Sequence, residues 1–161
     1  MKTPEDYMRI ALKEAMKAKE IDEVPVGAVI VRKGEIIAKA HNLREKNQQA
    51  FAHAEFLAIQ KASKKLGTWN LSDCDLYVTL EPCLMCTGAI WQSRIRHLYY
   101  GADDPKGGTI ETLLDVKSLP HYKAYPREIT KGILKKECGD ILTEFFKEKR
   151  KKPKKIFSES K

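Results

Sequence analysis

Apolar residues recur every three or four positions in some segments of the chain and form short, nearly continuous runs in others. The first spacing is typical of amphipathic helices, and the short runs are typical of buried strands. Helices are predicted over residues 3–19, 53–67 and 83–94, and over a last segment that carries Cys138, Ile141, Leu142, Phe145 and Phe146. Strands are predicted over residues 24–31, 36–38, 75–80, 95–100 and 127–130.

The order of these elements predicts an α/β fold in a single domain. The run at 24–31 is followed by the turn Lys33-Gly34 and then by residues 36–38, which predicts an antiparallel pair. A strand, a helix and a strand follow one another over residues 75–100, which predicts a parallel crossover. Apolar residues show no clear periodicity over residues 109–126, and we expect one short helix and a loop there. No internal repeat or linker interrupts the pattern.

Length and composition favour a soluble globular protein over a membrane or secreted one. The chain has 161 residues, of which 42% are hydrophobic and 32% are charged, enough for one domain with a core. No apolar run approaches the roughly 20 residues that span a bilayer, so we expect no membrane association. Four cysteines without a secretion signal do not suggest a disulfide framework. We therefore expect a cytoplasmic protein with reduced thiols.

Positive charge is concentrated near the C-terminus. Of the net charge of +8, residues 147–155 contribute +6, because they hold seven Lys or Arg residues and one Glu. One interpretation is a solvated, frayed tail that aids solubility. The other is an arm that attracts phosphates and strengthens nucleic-acid binding without recognising a base sequence. The sequence leaves both interpretations open.

Two cysteines three residues apart, Cys83 and Cys86, follow a proline at the end of the strand predicted over 75–80. Proline is tolerated at the start of a helix, and positions i and i+3 share a face, so both sulfurs would point the same way. N–H groups at a helix start also stabilise thiolates. His53 begins the preceding helix and can supply a third ligand. Three protein ligands leave one zinc position open, which is typical of a catalytic site.

Glu55 lies two residues after His53. Zinc lowers the pKa of bound water to roughly 7, and a carboxylate at this position is placed to take the proton and pass it on. His-x-Glu followed by Pro-Cys-x-x-Cys is the known signature of zinc nucleobase deaminases, in which the glutamate is not a ligand. Glu55 is therefore the candidate catalytic residue.

The Cys-x-x-Cys pair has two other interpretations when it is taken alone. It could be a redox pair, or it could be half of a structural zinc site. A structural site needs a fourth ligand, and the nearest candidate, Cys74, is expected at the far end of the strand from Cys83. His-Ala-Glu at the start of one helix and Pro-Cys-x-x-Cys at the start of the next together favour a catalytic zinc ion.

Two loops are candidates for contact with a substrate. Residues 41–51 are polar and lead directly into His53, and the amide of Asn42 can both donate to and accept from a base edge. A structural role for Asn42 in a turn is an equally good interpretation. The turn-rich loop over residues 103–108 follows a predicted parallel strand, so we expect it at the same sheet edge as the zinc residues.

The chain resembles the bacterial tRNA-specific adenosine deaminases of the cytidine deaminase-like superfamily. The matching segments include His-Ala-Glu and Glu-Pro-Cys-Leu-Met-Cys, and they cover residues 23–28, 40–42, 52–55, 66–69, 79–86 and 101–108. The final helix, over residues 132–150, also matches. The resemblance implies a three-layer α/β/α fold around a mixed five-stranded sheet. It also implies a homodimer that converts the wobble adenosine of a tRNA anticodon stem–loop to inosine by hydrolysis.

The resemblance also implies roles for individual residues. His53, Cys83 and Cys86 would bind one Zn²⁺ per chain, and Glu55 would move protons. Contacts with the substrate would come from Asn42, the backbone of Ala54, Val26, Asp103, Asp104 and Lys106. The deaminase domain would span residues 1–150, and residues 151–161 would form the basic tail.

The chain departs from the family pattern at residues 109–112, at residues 123–126 and at Phe51. These positions lie outside the metal motif, so they affect what can be inferred about RNA contacts, the choice of substrate and the dimer face. Two alternative functions therefore stay open. One is the same chemistry on a free nucleobase or nucleoside such as guanine or cytosine. The other is a catalytically silent zinc protein that binds RNA, against which an intact Glu55 argues.

Overall fold

The computed structural model describes residues 1–120 and 124–151. Its helices are α1 (Pro4–Glu20), α2 (Arg44–Asn47), α3 (Ala54–Leu66), α4 (Leu84–Gln92) and α5 (Lys135–Lys151), with a 3-10 turn at Val116–Ser118. Its strands are β1 (Gly27–Arg32), β2 (Glu35–His41), β3 (Cys74–Leu80), β4 (His97–Ala102) and β5 (Glu128–Lys131). They form one sheet in the order β2-β1-β3-β4-β5.

The sheet is mixed. β1 pairs antiparallel with β2 and with β3, whereas β3, β4 and β5 run parallel. The carboxyl ends of β3 and β4 therefore lie side by side, with Leu80 paired to Ala102. Loops that follow these two strands meet at one edge of the sheet, which is where ligands bind in open α/β sheets.

Helices cover both faces of the sheet. On one face, α3 and α4 pack through Ala58, Ala62 and Ile90 against buried strand residues such as Ile30 and Leu76. On the other face, α1 and α5 pack on the residues that alternate with these, including Val29, Val31 and Tyr77. The three-layer α/β/α arrangement and the mixed five-stranded sheet predicted above are confirmed.

The outer helices lie unusually close to two glycines of the sheet. A Cβ atom built on Gly27 would lie 1.9 Å from the carbonyl oxygen of Ala11 in α1. One built on Gly101 would lie 2.4 Å from Cys138 Sγ in α5. Only a residue without a side chain allows these approaches, so Gly27 and Gly101 set the distance of α1 and α5 from the sheet.

The predicted elements are all present, with shifted ends. The first strand begins at Gly27 rather than at residue 24, because Val26 N–H donates to the carbonyl of Val24 in a tight turn around Pro25. The polar segment 41–51 was predicted as a loop, and it contains the short helix α2. Of the predicted basic tail, residues 152–161 lie outside the described residues. Within the described part of the chain, no helix is long and apolar enough to cross a bilayer.

Candidate metal and catalytic site

A groove of about 740 Å³ opens at the sheet edge where β3 and β4 end. It is bounded by the start of α3, the start of α4, the loop after β4 and one side of α5. Eight of the sequence-predicted site residues line it, namely Val26, Asn42, His53, Glu55, Cys83, Asp103, Asp104 and Lys106. Two further predicted site residues, Ala54 and Cys86, are fully buried and do not line the groove. The fold therefore brings the candidate metal, catalytic and substrate-contact residues into one cleft.

His53 and Cys83 occupy the N-cap positions of α3 and α4, and Cys86 lies in the first turn of α4. His53 Nδ1 lies 3.6 Å from Cys83 Sγ and 3.5 Å from Cys86 Sγ. A tetrahedral zinc ion with ordinary Zn–N and Zn–S bond lengths requires an N···S separation of roughly 3.6 Å. Both the kind and the spacing of these donor atoms therefore fit zinc with three protein ligands.

No comparable cluster exists in residues 1–120 and 124–151. Among the His, Cys, Asp and Glu side chains of these residues, one group of three or more has all its ligand atoms within 4.8 Å of one another. It consists of His53, Cys83 and Cys86. Cys74 is at the opposite end of β3, where its thiol is buried next to Asp73. Burial there raises the pKa of Cys74 to about 12. The four-ligand structural site considered from the sequence is therefore not formed with Cys74.

The two cysteines have opposite electrostatic environments. A hydrogen bond with the Cys86 thiol outweighs burial and, together with one from His53, lowers the pKa of Cys83 to about 4. The same hydrogen bond and burial raise the pKa of Cys86. A thiolate is the form of cysteine that binds metal, and the N-terminus of α4 adds favourable N–H dipoles at Cys83.

Glu55 lies in the first turn of α3 with its side chain inside the groove wall. Only 4% of the residue is exposed, and this burial raises the pKa of its carboxyl to about 7. A proton-transfer group works best when its pKa lies near the working pH. The position and the pKa of Glu55 are both suited to acid–base chemistry beside the metal-ligand cluster.

Three of the residues predicted to contact substrate are hydrogen-bonded to one another. Asn42 Oδ1 accepts from the N–H of Ala54 at 2.7 Å, and the N–H of Asn42 donates to the carbonyl of Val26 at 3.2 Å. The amide oxygen of Asn42 thus has a partner within the protein. Its Nδ2 is the group that remains to donate to a ligand, and the two interpretations of Asn42, structural and substrate-binding, are both compatible with this geometry.

The loop after β4 gives its two acidic residues intramolecular partners. Asp104 Oδ1 accepts from the N–H groups of Lys106 and Gly107, at 3.1 and 3.2 Å. Asp103 Oδ2 accepts from Lys135 Nζ at 3.2 Å. The side chain of Lys106 is exposed at the groove, so among these three it is the one left to face a ligand.

Comparisons with known proteins decide the family. Residues 3–150 match the family model of the MafB19-like deaminases. A tRNA-specific adenosine deaminase of Bacillus subtilis is 52% identical, over 96% of this chain and 95% of its own length. One of Agrobacterium fabrum is 46% identical, over 89% of this chain and 94% of its own length.

The chain belongs to the tRNA-specific adenosine deaminase family. The predicted resemblance is confirmed, and the protein is a hydrolytic deaminase. Its fold matches a solved structure described as part of biochemical and structural studies of A-to-I editing by tRNA:A34 deaminases. That match has a TM-score of 0.81 and 46% identity, over 84% of this chain and 98% of the other. The structure of a guanine deaminase from Nitrosomonas europaea matches with a TM-score of 0.75 and 26% identity, over 90% of this chain and 85% of the other.

Two buried carboxylates of this family member hold the groove walls and were not singled out from the sequence. Glu23 is 3% exposed and accepts from the N–H groups of Glu45 and Lys46, at 3.1 and 2.7 Å, near the start of α2. Glu81 is 2% exposed and accepts from backbone N–H groups of the segment after β4. The available signal was an acidic residue followed by proline within two positions, which occurs at both Glu23 and Glu81.

Proposed function

We propose that this protein converts the wobble adenosine of a tRNA anticodon stem–loop to inosine by hydrolysis, releasing ammonia. The observation that carries the proposal is the clustering of His53, Cys83 and Cys86 near the buried Glu55 at the wall of one groove. The names of the relatives supply the substrate class, since both curated relatives above are tRNA-specific adenosine deaminases.

His53 Nδ1 and the sulfurs of Cys83 and Cys86 would hold one Zn²⁺ per chain. A zinc ion with three protein ligands supplies a Lewis acid with an open fourth position, which brings the pKa of water near 7. The helix N-termini hold the three ligand atoms at the required separation, so the protein supplies a preorganised site.

Glu55 would carry the protons. Its carboxylate takes one proton from the attacking water and delivers it to N1 of adenine as the oxygen adds to C6. It then takes the remaining proton of the hydroxyl group on C6 and transfers it to the amino group. The C6–N bond breaks, ammonia leaves, and the carbonyl of inosine forms at C6. The sum is adenosine and water converted to inosine and ammonia, with Glu55 returned to its starting form.

The base would be held by residues at the start of α3 and in the loop before it. Asn42 Nδ2 would donate to the flipped adenine, Val26 would line the pocket, and the backbone of Ala54 would fix the Asn42 amide. The target must be out of its stack to enter this groove, so a single-stranded anticodon loop suits the site better than a duplex. Lys106 and the basic C-terminal residues would contact phosphates.

A homodimer is part of the proposal. Large apolar side chains are exposed near the start of α4 and after β4, including Leu84 at 59%, Leu113 at 56% and Leu114 at 49% exposure. Burial of these side chains against a second copy would stabilise a dimer, and most soluble oligomers are symmetric homo-oligomers. Sedimentation of the purified protein would report a mass of two chains.

The deciding experiment measures inosine in a synthetic tRNA anticodon stem–loop, with Glu55→Gln as the control. Wild-type protein should form inosine, and Glu55→Gln should keep its zinc and lose turnover by about 10²–10⁴-fold, the usual contribution of a general acid–base group. Guanine, cytosine and adenosine are tested in parallel because a guanine deaminase shares the fold. Turnover of a free base but not of the RNA would overturn the choice of substrate. Bound zinc without ammonia release from any substrate would support the alternative of a catalytically silent zinc protein.

A further inference from the structure

Glu81 is a buried acidic side chain that the reaction described above does not use. It follows β3 directly and lies two residues before Cys83. Its carboxylate oxygens accept from four backbone N–H groups and one hydroxyl of the segment after β4. These donors are Asp104 N at 3.1 Å, Ile110 N at 3.2 Å, Glu111 N at 3.0 Å, Thr112 N at 3.1 Å and Thr112 Oγ1 at 2.5 Å.

The surroundings of Glu81 are built closely around this carboxylate. A Cβ atom on Gly108 would lie 2.4 Å from Glu81 Cδ, so the glycine leaves room for it. The N–H of Glu81 donates to the carbonyl of Ala102 at 2.9 Å, and the carbonyl of Pro82 accepts from Thr109 N at 2.9 Å. Glu81 and Pro82, the two residues after β3, therefore hold the segment that follows β4 near its start and near its end.

A chain of hydrogen bonds leads from Glu81 to the exposed lysine of the groove. Glu81 Oε1 accepts from the N–H of Asp104, and Asp104 Oδ1 accepts from the N–H of Lys106 at 3.1 Å. Lys106 lines the same groove as His53 and Glu55. Fixing the backbone of a loop reduces the ordering that a ligand must otherwise impose when it binds.

We propose that Glu81 is a positioning residue for RNA binding: it holds the 103–112 segment so that Lys106 meets the phosphates of the anticodon loop. The proposal rests on the proposed function. A carboxylate is required because every described contact of its two oxygens is with a donor. A glutamine of the same shape has one oxygen and one NH₂ group in place of the two oxygens. Its NH₂ group would face backbone N–H donors, which would then lose their acceptor.

The test is a double-mutant cycle between Glu81→Gln and Lys106→Ala, with the KM for the anticodon stem–loop as the readout. Each single variant should raise KM about five- to tenfold, with kcat within about threefold of wild type and zinc content unchanged. In the Glu81→Gln background, Lys106→Ala should change KM less than about twofold, because the lysine is then no longer presented. The matched control is Glu111→Gln, since Glu111 lies in the same segment but its carboxylate bonds side chains.

Hydrogen exchange supplies a readout that does not need activity. Glu81→Gln should speed amide exchange in residues 104–112 by at least about tenfold, with β3 unchanged. Additive effects of the two variants on KM, or a Glu111→Gln effect equal to that of Glu81→Gln, would overturn the positioning role. Unchanged exchange in residues 104–112 would overturn it as well. If wild-type protein does not act on the stem–loop, the proposed function and the role of Glu81 in RNA binding are both overturned. Faster exchange in Glu81→Gln would then show only that Glu81 stabilises residues 104–112.

Discussion

The backbone N–H of Ala54 donates to the side-chain oxygen of Asn42 at 2.7 Å, across 12 positions of sequence. This bond joins the end of β2 to the first residue of α3, next to His53 and Glu55. It satisfies one of the N–H groups that a helix start leaves without an intrahelical partner. The same side chain therefore supports the helix that carries Glu55, the proposed catalytic residue, and offers its NH₂ group to the groove.

Two substitutions of Asn42 separate its structural role from its proposed contact with the base. Asn42→Asp keeps an oxygen that accepts from the N–H of Ala54 but loses the NH₂ donor. Asn42→Ala loses both the oxygen and the NH₂ group. We expect both variants to lose about 10- to 100-fold in kcat/KM on the stem–loop, since one good base contact is worth about 1–3 kcal/mol. Only Asn42→Ala should also lose stability, by about 1–3 kcal/mol, because a buried N–H is left without a partner.

Urea unfolding and inosine formation check this prediction for Asn42. Asn47→Ala, an exposed substitution in α2, serves as the control and should match wild type in both measurements. An Asn42→Asp variant with wild-type kcat/KM would show that the side-chain NH₂ group does not contact the base.

The metal motif and the elements that carry it could be predicted because their signals are local in sequence. Pro82 before two cysteines three apart, and His53 at the start of an apolar period, each point to a helix start without any tertiary information. The roles of Glu23 and Glu81 could not be found this way. Their partners are backbone N–H groups 22 to 31 positions away, and every residue except proline carries such a group. The short helix α2 depends on the same kind of contact.

Removal of one proposed metal ligand should lower metal content and stability together. We expect Cys83→Ala to contain no zinc and to melt at a lower temperature than wild type, because an ion that binds only the folded chain stabilises it by about 4 kcal/mol at 1,000 times its Kd. A chelator should lower the melting temperature of wild type and leave that of Cys83→Ala unchanged. Metal analysis and thermal melts provide the measurements.

Cys74→Ala is the control for the metal prediction, because Cys74 is also a free cysteine but is buried at the other end of β3. It should keep one zinc ion per chain and respond to the chelator as wild type does. Equal metal content in Cys83→Ala and wild type would exclude Cys83 as a ligand.

Glu14 should make stability depend on acid pH. It is a buried residue of α1 whose carboxylate accepts from Lys17 Nζ at 2.7 Å and lies 3.1 Å from His41 Nδ1. Burial alone would raise the pKa of Glu14, but the hydrogen bonds with Lys17 and His41 outweigh it and hold the pKa below its ordinary value of 4.5. The folded state therefore binds this proton less readily than the unfolded state, so the stabilisation is present above about pH 4.5 and is lost as the pH falls below it.

Glu14→Gln tests this linkage. At pH 7 it should be less stable than wild type by about 1.5–3 kcal/mol, the usual value for hydrogen bonds to a charged group. The difference should shrink as the pH is lowered from 4.5 towards the pKa of folded Glu14. Denaturant unfolding at a series of pH values measures it, with the exposed Glu20→Gln of the same helix as control. A difference that stays constant with pH would exclude ionised Glu14 as its source.

Gly101 should tolerate no side chain, because β4 and α5 are already in contact there. A Cβ atom at this position would lie 2.4 Å from Cys138 Sγ and 2.8 Å from the carbonyl oxygen of Thr79. The carbonyl belongs to the middle of the sheet and cannot move without breaking the ladder, so Gly101→Ala should destabilise the protein by about 1–3 kcal/mol or more. Gly139→Ala on α5 meets no atom within 4 Å and should instead stabilise the helix by about 0.5–1 kcal/mol. Unfolding of the two variants under the same conditions should therefore shift in opposite directions, and a Gly101→Ala protein as stable as wild type would show that α5 is not held at this distance by Gly101.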